Sequence, residues 1–148
     1  MKGNVVQFSF ITLALVVGGA LEDMLPTFGG LGLPVLLCLA VFFALETRAP
    51  VWILAAVAAG SLEEAVASLP PASAIVFFAA VAVAVRFFRE PVVWIAVAYP
   101  AYQVWLVLVS DGAGAFGRML LSVPVGAVSL AVGFAVLSFL WRKAGANA

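Results

Sequence analysis

Two adjacent carboxylates, Glu63 and Glu64, interrupt an otherwise apolar run, WILAAVAAGSLEEAVASL, at residues 52–69. On a helix rising about 1.5 Å per residue, Glu63 lies roughly 16 Å beyond Trp52, near the middle of a hydrocarbon layer about 30 Å thick. An ionisable group at that depth costs about 2.5 kcal/mol or more unless it meets a partner, a wet cavity or a second helix, so the pair is a functional candidate. Neighbours in sequence diverge by about 100° on a helix, which excludes a side-by-side dyad of the aspartic-protease kind between these two. Three readings stand: polar groups in helix packing, acids touching a solute or ion, and a contact to a partner's membrane helix. Tyr99, Tyr102 and Gln103, grouped around Pro100, form a second polar constellation. It reads as packing beside a proline kink or as the wall of a ligand pocket. Histidine is absent, which removes Ser–His and Cys–His nucleophile pairs and the HExxH zinc helix. The expected class is therefore not an enzyme, with no cofactor and no metal.

The helix carrying the acids must approach others closely. Ala55, Ala59 and Ala67 share a face with Glu63, and Ala56, Gly60 and Ser68 share one with Glu64. Small residues of this kind let helices pack tightly in lipid. Of the 148 residues, 66% are hydrophobic and 9% charged, and the mean hydropathy is +1.25. A soluble domain carries about 25% charged residues, so an all-α polytopic membrane protein is expected, folded as one compact bundle over residues 1–148. Six apolar runs predict helices at roughly 5–21, 31–45, 51–69, 72–88, 92–109 and 119–141. Gly18-Gly19-Ala20 has the small-residue character of a signal-peptidase site, but the preceding run is long for a cleaved leader, so the first helix is expected to be retained. SDGAGAFGR, residues 110–118, spaces its glycines as in GxGxxG but lacks the strand that would make it a nucleotide fingerprint. In the last run Ser122, Gly126, Ser129 and Gly133 form a packing stripe on one face. The formal net charge is zero, and the scattered basic residues make no nucleic-acid footprint. The lone cysteine, Cys38, allows no intrachain disulfide.

Topology follows from the basic residues. With a cytoplasmic amino terminus and six crossings, Lys2, Arg48, Arg86, Arg89, Arg142 and Lys143 fall inside and Arg118 alone outside. The same arrangement places Trp52, Trp94 and Trp141 at the cytoplasmic boundary and Trp105 toward the outer one.

The order of features across residues 24–85 resembles the rod-shape-determining MreD family. The matching stretches are LPTFGGLGLPVLLCLAVFFALETRAP and ILAAVAAGSLEEAVASLPPASAIVFF. A proline-started apolar helix with a short basic turn is followed by a small-residue helix with a Gly-x-x-x-acid step, filled here by Gly60 and Glu64. The resemblance implies a non-catalytic scaffold of the cell-elongation, peptidoglycan-building machinery in the bacterial inner membrane, both termini cytoplasmic. It implies an MreC-like protein and cell-wall synthases as partners, with self-association left open. The fold it implies is similar to that of energy-coupling-factor substrate-binding subunits, so a solute-binding transporter subunit is the alternative. Glu63, Glu64, Gly60, Tyr99, Tyr102 and Gln103 are the residues expected at an interface or a ligand.

Overall fold

The computed structural model describes residues 2–25, 32–48, 50–110 and 115–144. They form six helices: α1 (Lys2–Met24), α2 (Val35–Glu46), α3 (Val51–Ala67), α4 (Ser73–Phe87), α5 (Pro91–Ser110) and α6 (Ala115–Lys143). Three segments, Val5–Met24, Pro91–Val109 and Leu120–Lys143, are long and apolar enough to cross a membrane. The other helices are shorter, and α2 is the shortest of them.

The bundle is built around α2. Its residues are apolar on every side, and all of those from Leu36 to Ala44 are buried; a helix hydrophobic all round belongs in a core. It touches each of the other helices. Its 12 residues span only about 18 Å, against a hydrocarbon layer of about 30 Å. The helix is expected from residue 31, which lies outside the described residues; residues 32–34 are not helical, and α2 starts at Val35 because Pro34 disfavours helical backbone at Leu33.

A short buried helix leaves unpaired backbone groups at both ends, and in an apolar bundle its neighbours must satisfy them. At the amino end Pro34 offers no side-chain acceptor; the Leu36 N–H instead donates to Glu22 Oε2 of α1 at 2.7 Å. At the carboxyl end Arg86 Nη1 donates to the Thr47 carbonyl at 3.4 Å and Arg89 Nη2 to the Leu45 carbonyl at 3.3 Å. An acid at the first end and bases at the last also complement the helix dipole.

The hairpin of α3 and α4 is as close as backbone allows. A Cβ on Gly60 would lie 2.7 Å from Ile75 Cα, so only glycine fits that crossing. Ser68, at φ 52°, ends α3 in the left-handed region, and Ala72, at φ 65°, turns the chain into α4. The two glycines of the α6 stripe also meet neighbours within the molecule. A Cβ on Gly126 would come 2.6 Å from Tyr99 of α5, and one on Gly133 would come 2.6 Å from Cys38 Sγ of α2.

At the Arg86 end of the bundle, Phe10, Phe42, Phe43, Phe134 and Trp141 pack edge to face, with Phe10 and Trp141 centred 5.2 Å apart. Trp141 is buried there, its ring packed against Phe10 of α1 and Phe42 of α2. Trp94 donates to the Phe88 carbonyl at 2.6 Å and Trp105 to the Ser73 carbonyl at 3.0 Å. Those two rings therefore sit near opposite ends of α4.

Candidate functional site

Glu63 and Glu64 go to different neighbours, as their divergence on one helix requires. Glu64, half-buried, reaches over the hairpin to the start of α4. Its Oε2 accepts from the Ala72 N–H at 3.1 Å and its Oε1 from the Ile75 N–H at 3.0 Å. Ala72, at the cap position, has no acceptor of its own, so Glu64 serves as the cap, and a carboxylate there also meets the positive end of the helix dipole. Its work is structural. Gly60, one turn earlier, lies at the helix crossing against Ala74 and Ile75.

Glu63 turns inward and is only 6% exposed. α3 ends at Ala67, so Glu63 sits in its last turns. The Tyr102 hydroxyl of α5 donates to its Oε1 at 2.6 Å. The Tyr102 ring is fixed between Phe77 and Phe78 of α4, at centroid distances of 5.2 and 5.6 Å. The carboxyl of Glu63 also interacts with that of Glu22 on α1. Its second oxygen, Oε2, has no donor.

Tyr99, one turn before Tyr102 on α5, donates to the Gly32 carbonyl at 2.5 Å, holding the segment that turns into α2. Gln103, buried, reaches the Tyr99 hydroxyl. The residues expected at an interface or ligand thus separate into two groups. Glu63, Tyr99, Tyr102 and Gln103 converge at the amino end of α2, while Glu64 and Gly60 serve the hairpin.

Glu22 completes the cluster and was not among the expected site residues. Its position at the end of the first apolar run, shortly before a proline-started buried helix, is the signal that could have found it. Such a helix needs an acceptor at its first turn, and Glu22 is an acid placed near enough to supply one. The assembled site is made of oxygen: two carboxyls from α1 and α3, two phenols and an amide from α5, and the backbone leading into α2. It can bind a hard cation or a proton, or hold helices in register. Among the described residues no group of three or more His, Cys, Asp or Glu side chains forms a metal centre.

Fold and site together define an all-helical bundle with three helices long and apolar enough to span a membrane and an oxygen-rich cluster buried at one end. Comparison with protein-family models, with curated proteins and with solved structures finds no match to the chain.

Proposed function

We propose that the chain is a non-catalytic scaffold of the bacterial cell-elongation machinery, seated in the inner membrane with both termini cytoplasmic, and that it holds a partner's transmembrane helix between α1 and α6. The observation that carries this reading is an almost wholly apolar groove of about 600 Å³. α2 forms its floor. Leu13, Val17 and Leu21 wall it on α1, and Val128, Val132 and Val136 on α6; all six are exposed. Each set recurs every fourth residue, the ridge into which a third helix packs. The walls run for about three helical turns, roughly 16–18 Å, which suits a helix lying in the groove. In lipid such association rests on van der Waals packing. Gly60 of α3 and Gly126 of α6 are used within the bundle, whereas Ser129 and Gly133 of α6 lie in the groove wall, where small side chains let a partner helix come close. The resemblance of residues 24–85 to the MreD family supplies the identity of the machinery and an MreC-like protein or cell-wall synthase as the occupant.

The test is a photo-crosslinking amino acid placed at Val17 or Val132 in cells. Adducts with an MreC-like protein or a cell-wall synthase are expected, with none from Val76 on the exposed side of α4. Recovery of an ATP-binding-cassette ATPase, without any cell-wall protein, would overturn the scaffold reading. That result would favour the second reading, a solute-binding transporter subunit, for which the convergence of Glu63, Tyr102 and Gln103 supplies the polar groups a pocket needs.

A further inference from the structure

We propose that Glu22 and Glu63 together hold one monovalent cation, a proton or an alkali-metal ion, at the end of the bundle where α1 and α3 finish. The inference starts from donor counting. An ionised carboxylate only accepts hydrogen bonds, yet α1 packs on α3 here, with Leu62 Cδ1 3.8 Å from the Cβ position of Gly19, and this brings the Glu22 and Glu63 carboxyls into direct interaction. Glu63 is 6% exposed and its Oε2 has no donor. A hydrogen or a cation is the component that turns this contact from repulsion into a bond.

The surroundings supply for one negative charge and not for two. Glu22 accepts from the Leu36 N–H, at the positive end of α2, and Glu63 accepts from the Tyr102 hydroxyl. The other titratable groups near the pair are Tyr99 on α5 and Cys38 on α2, neither of which carries a positive charge. Glu64 is turned away to the start of α4. The basic side chains that are described lie elsewhere: Arg86 and Arg89 on the carboxyl end of α2, Arg48 just past it, and Arg142 and Lys143 at the end of α6. Arg118, in the first turns of α6, is outside the described side chains and enters the test as a variant. The ligand atoms are carboxyl and phenol oxygens, the set that suits a proton or a hard cation. Glu22 is half-buried.

Infrared difference spectroscopy of the full chain in lipid nanodiscs at neutral pH tests the proposal, with sodium exchanged for N-methylglucamine at constant ionic strength. A shared proton gives a protonated-carboxyl band, shifted in D2O, in both salts. A bound alkali ion gives a band only once sodium is withdrawn. In either case Glu22→Gln and Glu63→Gln each abolish the band and Glu64→Gln keeps it. The proposal is overturned by the absence of a band in both salts, by a band that survives either Glu22→Gln or Glu63→Gln, or by one that emerges only in Arg118→Gln. Should the glutamine variants fail to fold, Tyr102→Phe decides. It keeps the ring and removes the donor to Glu63, so the band should persist at a shifted frequency, and an unshifted band rejects the assignment.

Discussion

The hydroxyl of Tyr102 donates to Glu63 Oε1 at 2.6 Å, joining α5 to α3 inside the bundle. Removing the donor while keeping the ring leaves a buried acceptor unpaired, and that costs about 1–3 kcal/mol. Tyr102→Phe is expected to lower the unfolding midpoint of the detergent-solubilised protein. In Tyr102→Phe/Glu63→Leu, where neither polar partner remains, part of the loss should be recovered.

Glu64 caps α4 through two backbone N–H groups, and losing a cap costs about 1–2 kcal/mol. Glu64→Gln retains an acceptor and should accumulate in the membrane at close to the normal level. Glu64→Lys sets a cation against the positive end of the helix and should not accumulate. Equal membrane levels of the two variants, read by immunoblot, would show that this position faces water and not α4.

Gly60 is pressed against the backbone of α4, with Ile75 Cα 2.7 Å from where a Cβ would stand. Backbone cannot swing aside as a side chain does, so Gly60→Ala must part the two helices, at a cost of about 1–3 kcal/mol. Gly117 has nothing within 4 Å of its Cβ position, and Gly117→Ala is the control expected to be neutral. Thermal unfolding of the two variants side by side measures the difference.

Ala72 holds a φ of 65°, a region where a residue with a Cβ is disfavoured by about 1–2 kcal/mol. Ala72→Gly removes that strain and adds freedom to the unfolded chain, so a net gain of up to about 1 kcal/mol is expected. A higher unfolding midpoint than wild type is the result to look for.

The hydrophobic runs were enough to number the helices and to locate most of their ends, because proline and charge punctuate them. The position of α2 was not legible in the same way. Its run resembles any other apolar segment, and only packing shows that it is buried on every side while α1, α5 and α6 keep exposed faces. The stripes of small residues were visible too, but not what they meet: Gly126 meets Tyr99 and Gly133 meets Cys38, contacts between residues far apart in the chain.

Sequence alone determined that Glu63 and Glu64 would part company, since helix geometry separates adjacent side chains by about 100°. It also determined that acids in so apolar a chain would need partners. Which partners was decided by the tertiary structure. Glu64 reaches α4 because the hairpin folds its first turn back over α3. Glu63 meets Glu22 and Tyr102 because α1 and α5 both pack near the start of a helix too short to extend beyond them. No local pattern encodes that meeting, because it depends on where α1 and α3 end, and α5 passes, against the start of α2.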